Sequence, residues 1–243
     1  MSEQFKGRRV LVTGAASGIG AAIAARLGEA GATVAGLDLA PCTDLAFSVV
    51  ADLRLEASVA AALAAIEARM GMPDIVVHAA AMQVKGGCLD TDPALFAQIY
   101  EVNVIGAVRL MRWCVPHMRG HGGGSVLLIS SINASFATPT LAAYAASKAA
   151  LENLAKTAAL EFAGDGVRVN VIAPASVDTP MFRASYADSP EGALASNMAR
   201  HPIARFGSAD EVAELALFLV SDRALWITGA IYPIDGGASV TRR

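Results

Sequence analysis

The sequence predicts an α/β fold, a single domain built on a seven-stranded, doubly wound (Rossmann-like) parallel sheet with helices on both faces. Three observations carry this expectation. Short β-branched runs alternate with longer Ala-rich helical patterns, as βαβ units require. Most of the runs are almost wholly apolar rather than alternating, which suits strands covered on both faces. The 243 residues hold no linker rich in Pro, Ser or charge and no internal repeat, so residues 1–243 read as one core of ordinary size.

In chain order, the strand Arg9–Thr13 leads into a helix over 18–30, and Thr33–Leu37 follows as the second strand. Phe47–Ala51 is a third run, with a helix over 56–70 before the strand Asp74–Ala79. A long helix over 92–118 precedes Ser125–Ser130, and a second one over 141–163 precedes Arg168–Ile172. A last helix over 209–221 returns the chain to Ala230–Ile234. Right-handed crossovers are expected throughout. The segment 177–204 has no clear strand and contains Pro180, Pro190 and Pro202. It is too short to bury a core of its own and reads as a lid-like insertion beside a site.

A net charge of -3 offers no basic field for nucleic acid or for an anionic membrane. Charged residues are 17% and apolar residues 54% of the chain, against about 25% charged in an average soluble protein. That balance implies a large buried fraction and buried subunit faces as well. The stretch Met1–Arg9 lacks the apolar core of a signal peptide. The longest uncharged stretch, Gly122–Ser147, is full of Ser, Thr, Asn, Gly and Pro and does not read as a membrane span. Three scattered cysteines without ligand spacing suit a reduced, cytoplasmic protein.

The first strand runs into Thr13-Gly14-Ala15-Ala16-Ser17-Gly18-Ile19-Gly20. Glycines between a strand and a helix allow a tight turn, so that free N–H groups at the helix start can face a pyrophosphate. Asp38 closes the second strand, 18 residues beyond Gly20. An acid there accepts hydrogen bonds from a ribose 2′-hydroxyl and repels a 2′-phosphate. Neither Ser17 nor Leu39 is basic, so NAD is expected over NADP.

Tyr144 and Lys148 stand four apart on a predicted helix and share a face. A cation near a phenol favours the phenolate, by up to about 4 kcal/mol at 4 Å and an effective dielectric constant of about 20. The expectation is a tyrosine brought toward usable acid–base chemistry. Ser131, at the end of the fifth strand, is placed to hold the substrate oxygen.

Together these motifs resemble the short-chain dehydrogenase/reductase family, whose signatures are Thr-Gly-x-x-x-Gly-x-Gly and Tyr-x-x-x-Lys. The resemblance implies that Ser131 orients the substrate, Tyr144 transfers the proton, and Lys148 tunes the tyrosine and holds the nicotinamide ribose. It implies that Asn103 connects the lysine to solvent through water. Asp52 and Leu53 match the positions around the adenine, and Pro174, Val177 and Thr179 those near the carboxamide. Gly14, Ser17, Gly18, Ile19, Gly20 and Asp38 match the phosphate and ribose contacts. Ile227-Thr228-Gly229 and Asp235-Gly236-Gly237 resemble the last strand and its flanks.

Two positions depart from the family. Where it usually reads Asn-Asn-Ala-Gly, this chain reads His78-Ala79-Ala80-Ala81, and Ala175 follows Pro174 where glycine is usual. The resemblance places His78 and Ala80 beside the cofactor. A ring nitrogen of His78 could replace one lost amide donor, or the ring could simply be packed against a backbone partner.

His117 and His121 lack a third ligand, so no metal is expected. Arg183, Arg200 and Arg205 flank the lid, either drawing an anionic substrate or forming an ordinary charged surface. Phe136, Met181, Phe182, Tyr186 and Met198 are candidate pocket walls. The expected activity is an NAD-dependent interconversion of a secondary alcohol and its ketone, in a homotetramer. The rivals are a catalytically silent dinucleotide-binding regulator and a family member acting on another bond, such as an enoyl group.

Overall fold

The structure, a computed structural model, describes residues 3–241. Met1 and Ser2, part of the amino-terminal stretch considered above, lie outside the described residues. Seven strands form one parallel sheet: β1 (Arg9–Thr13), β2 (Thr33–Asp38), β3 (Ser48–Val50), β4 (Ile75–His78), β5 (Gly124–Ile129), β6 (Val167–Pro174) and β7 (Ile231–Ile234). Their order is β3-β2-β1-β4-β5-β6-β7, so the winding direction reverses between β1 and β4. Loops leaving the carboxyl ends of those two strands diverge and open a crevice.

Eight α-helices complete the fold among the described residues: α1 (Gly18–Glu29), α2 (Glu56–Met70), α3 (Pro93–Tyr100), α4 (Gly106–Gly120), α5 (Ala142–Phe162), α6 (Pro180–Ser185), α7 (Ala193–Met198) and α8 (Ala209–Val220). Alternation along the strands sorts the core into two layers. Val10, Val12, Ile75, Val77 and Leu127 pack with the buried faces of α1 and α8. Leu11, Val76, Val126, Leu128 and Val169 pack with α2, α4 and α5. Every residue of β4 and β6 is buried, which accounts for their largely apolar character, with His78, Arg168 and Asn170 as buried polar exceptions.

The expected helix over 92–118 is broken. Asp92 caps it by accepting a hydrogen bond from the Ala94 N–H at 2.7 Å, with Pro93 in its first turn. A π-helical turn, Glu101–Ile105, then separates α3 from α4. Such turns widen a helix locally and often mark functional positions. By length and composition Pro93–Gly120 would also suffice to cross a membrane, although it carries Glu101, Arg109 and Arg112. Leu110, Met111, Cys114, Val115 and Met118 bury its second half against the sheet.

The lid-like segment is folded rather than loose. It contains α6 and α7, and its base is stitched by Asp178 N–H to the Gly207 carbonyl at 2.9 Å and Gly207 N–H to the Ser176 carbonyl at 3.0 Å. A hydrogen bond between the Asn197 amide and the Tyr186 hydroxyl ties the two helices together. α8 starts in a reciprocal capping box between Ser208 and Glu211.

Candidate active site

A cleft of about 490 Å³ opens where the strand order reverses, bounded by the glycine loop, the ends of β4 to β6, the start of α5 and the lid. Gly14, Ser17, Gly18, Ile19, Gly20, Asp38, Asp52, Leu53, Ala80, Ser131, Tyr144, Lys148, Pro174, Val177 and Thr179 all line it. Two predicted residues do not, namely Asn103 and His78.

The glycine loop is packed too closely on its own backbone to admit side chains at two of its glycines. Gly14 has φ +71, and a Cβ there would stand 2.6 Å from the Ala80 nitrogen. A Cβ on Gly20 would overlap the Gly14 carbonyl oxygen. The loop is therefore held tight against itself and the exit of β4, with the start of α1 lining the cleft as a pyrophosphate site requires, and the residues present fit a dinucleotide. At the far end of the cradle the Asp38 carboxylate is pinned by the Ala16 N–H at 3.0 Å and the Ala40 N–H at 3.2 Å. Asp52 is held by Arg54 at 2.7 Å, and that guanidinium keeps its carboxyl below the ordinary range.

Tyr144 and Lys148 share the buried face of α5, as their spacing requires. Burial dominates the electrostatics of both groups. Burial pushes the Tyr144 phenol up to about 12, with a hydrogen bond to Ser131 pulling the other way. Burial pushes the Lys148 ammonium down to about 7, with Glu152 opposing. The ammonium donates to the Ile129 carbonyl at 2.7 Å and stands 5.6 Å from the centre of the Tyr144 ring. The buried carbonyl at the end of β5 thus takes the lysine, and the phenol keeps its proton at neutral pH.

Asn103 lies in the π-helical turn and is fully buried. Its Oδ1 accepts the Met82 N–H at 2.7 Å, and its Nδ2 donates to the Met82 carbonyl at 3.1 Å and the Ser147 hydroxyl at 2.8 Å. Ser147 precedes Lys148, so Asn103 braces the segment of α5 that carries both reactive groups. His78 is also buried, with Nδ1 2.9 Å from the Thr13 hydroxyl. Burial, then the Lys148 charge, pushes it down to about 3. It is a neutral ring behind the site, where the sequence placed a cofactor contact.

Of the candidate walls, Phe136, Met181, Phe182 and Tyr186 line the cleft and Met198 does not. Arg183 is paired with Asp178 at 2.6 Å and Arg205 with Glu211 at 2.6 Å. Arg200 alone of the three lines the cleft. His121 Nδ1 bonds the His117 carbonyl at 2.8 Å, and no group of three metal-ligating side chains occurs among the described residues. Sequence reasoning missed Ser130 and the buried Glu152, joined at 2.9 Å behind Lys148. It also missed Asn197 and His201 in the lid wall. Ser130 and Glu152 lie 22 residues apart, and no local pattern announces their meeting.

The family model described as Enoyl-(Acyl carrier protein) reductase matches residues 14–239. The cis-4-hydroxycyclohexanecarboxylate dehydrogenase of Sinomonas cyclohexanicum is 36% identical over 249 residues, covering 98% of each chain. A 2,5-dichloro-2,5-cyclohexadiene-1,4-diol dehydrogenase of Sphingobium indicum is 35% identical over 255 residues, covering 99% of each. Among solved structures, a 3-ketoacyl-(acyl-carrier-protein) reductase from Brucella melitensis, complexed with NADH, superposes with a TM-score of 0.88 at 31% identity, covering 96% of this chain and 99% of that one. With the glycine cradle, the sheet order and the Ser131, Tyr144 and Lys148 cluster, these matches place the chain in the short-chain dehydrogenase/reductase family of oxidoreductases.

Proposed function

We propose that the protein is an NAD-dependent dehydrogenase interconverting a secondary alcohol and its ketone, with Tyr144 as the proton-transferring group. The observation that carries this reading is the joint placement of Ser131, Tyr144 and Lys148 in one wall of a cleft whose opposite wall is the glycine cradle. When bound, NAD supplies the hydride acceptor for oxidation, and NADH the donor for reduction. Gly14, Gly18, Gly20 and Asp38 would hold its adenosine and phosphate portions, and Lys148, Val177 and Thr179 the nicotinamide end.

The chain's own residues do the rest. The Ser131 hydroxyl, also accepting the Asn133 N–H at 3.2 Å, orients the substrate oxygen. Tyr144 gives that oxygen a proton in ketone reduction and takes it back in alcohol oxidation. The lid residues Met181, Phe182 and Tyr186 wall the cleft and exclude water. The Sinomonas and Sphingobium dehydrogenases named above are named for ring-borne alcohols, which favours a cyclic or otherwise bulky substrate here.

The cofactor preference is testable at Asp38. Both its oxygens already hold a backbone N–H, so the carboxylate is fixed facing the cleft beside the exposed Leu39. Asp38→Ser with Leu39→Arg removes the repulsion and adds a phosphate partner. The ratio of kcat/KM for NAD over NADP is expected to fall by about 10²-fold, roughly 2.7 kcal/mol. A wild-type enzyme that already prefers NADP contradicts the reading.

A cytoplasmic homotetramer is part of the same proposal. Trp226 is fully exposed, with Leu225 and Leu160 also exposed. Leu225 and Trp226 are neighbours in sequence and expose apolar surface together. Such an apolar patch suits a subunit contact. Light scattering should give about four times the chain mass, and Trp226→Glu should lower it. A monomeric wild type at micromolar concentration overturns the assembly.

A further inference from the structure

We propose that His78 is a positioning residue, its ring bridging Thr13 at the head of the glycine loop to the π-helical turn, and so fixing where Asn103 stands. The inference rests on the catalytic reading of Asn103, Tyr144 and Lys148 above, and goes beyond it in giving this chain's departure at position 78 a task.

Hydrogen-bond bookkeeping at Thr13 sets the state of the ring. The Thr13 hydroxyl oxygen accepts the Ala80 N–H at 3.3 Å, and its own proton faces His78 Nδ1 at 2.9 Å. Nδ1 is the only acceptor for that proton among the described residues. Nδ1 therefore accepts, and the neutral imidazole carries its proton on Nε2.

The Nε2 side of the ring meets the π-helical turn. Its polar neighbours there are the backbones of Asn103 and Val102, and Nε2 itself makes no hydrogen bond among the described residues, so the ring meets the turn by packing. A Cβ on Gly106, the residue after the turn, would stand 3.2 Å from the ring carbon Cε1. The helix thus runs against the imidazole without a side chain between them. The ring fills the gap between β1 and a turn whose widened backbone places Asn103.

From Asn103 the linkage continues to the reacting groups. Its side chain grips Met82 on one side and Ser147 on the other, and the Ser147 hydroxyl donates to the Tyr144 carbonyl at 2.7 Å. A shift of the turn is therefore felt by Tyr144 and Lys148. Misplacing a reacting group by about 1 Å can cost about 10²-fold in rate. His78 does not itself exchange protons with substrate, because it does not line the cleft.

Two amide variants separate the two ends of the ring. In His78→Asn the short amide occupies the Nδ1 position, keeping a partner for Thr13 and losing the reach to the turn. In His78→Gln the longer amide reaches the Nε2 position and gives up the Thr13 contact. Positioning predicts that His78→Asn loses about 10- to 10²-fold in kcat with NAD dissociation constant within about 3-fold of wild type. It predicts that His78→Gln recovers most of that kcat while binding NAD more weakly. Equal loss of melting temperature in both, with no division between kcat and NAD affinity, overturns the proposal and leaves a packed ring.

A second measurement needs neither variant nor turnover. A long-range proton–nitrogen spectrum of the NAD-free wild type should show the Nε2–H form of His78 unchanged from about pH 5 to 9. An Nδ1–H form, or a ring titrating in that range, overturns it. Tyr144→Phe run alongside keeps the two readings apart. If that variant is inactive and the His78 pair shows no division, positioning alone fails. If it turns over normally the catalytic reading fails, and the ring's tautomer is still decided by the spectrum.

Discussion

Tyr144→Phe is expected to lower turnover by about 10²–10⁴-fold, while NAD affinity stays near the wild-type value. The ring and its packing survive the change, and the only proton donor in the Ser131 cluster with a phenol's chemistry is lost. Because burial holds the Tyr144 phenol at about 12, the wild-type group is protonated across the ordinary pH range. Ketone reduction needs that protonated form together with the charged Lys148, so it should decline as pH rises past about 7, where the lysine loses its proton. Alcohol oxidation needs the phenolate, whose share rises as pH climbs toward the phenol's pKa, so oxidation should accelerate with pH. Steady-state rates in both directions, with NAD affinity from fluorescence titration, check all of this. A Tyr144→Phe enzyme with near-normal turnover removes the assignment.

Lys148→Met should disable the enzyme and stabilise the fold. Turnover is expected to fall by about 10²-fold or more, since a fixed positive charge at a reacting centre is among the larger catalytic contributions. NAD binding should weaken with it. Stability should move the other way. An unfolded lysine is charged below about 10.5, whereas burial holds the folded one at about 7. Folding therefore carries a penalty that begins as pH falls through 10.5 and is complete below about 7. Methionine removes it, at the cost of the donor to the Ile129 carbonyl. The NAD-free variant should melt higher than wild type at pH 6, by about 2–4 °C for each kcal/mol recovered, with the difference shrinking toward pH 10. A lower melting temperature at pH 6 would mean that the Ile129 hydrogen bond outweighs the buried charge.

The strands were legible because their pattern is local. Each expected run overlaps a real strand, and the order of apolar runs and helical patterns suffices to call a doubly wound sheet. The cradle and the Tyr144 and Lys148 face were legible for the same reason, since glycine spacing and a separation of four report on a single turn. Other features depend on partners far along the chain. The apolar residues Val102, Val104 and Ile105 carry the helical pattern across Glu101–Ile105, so nothing marked the π-helical turn that divides the long helix. Spacing put Lys148 beside Tyr144, but the carbonyl of Ile129, 19 residues earlier, decides where the ammonium goes. His78 was open to two roles because its partners, Thr13 and the backbone of the turn, lie on elements that meet it only in the folded sheet.

The central claim is that hydride and proton pass across a carbon–oxygen bond of the substrate, rather than across a carbon–carbon double bond. Cyclic enones present both bonds in one molecule. With NADH deuterated at the transferable position of C4, the products of a cyclic enone panel can be read for label by mass spectrometry and NMR. The proposed chemistry predicts an allylic alcohol with deuterium on the carbinol carbon, formed by the wild type and lost in Tyr144→Phe. A saturated ketone carrying deuterium on the carbon β to the carbonyl would contradict it.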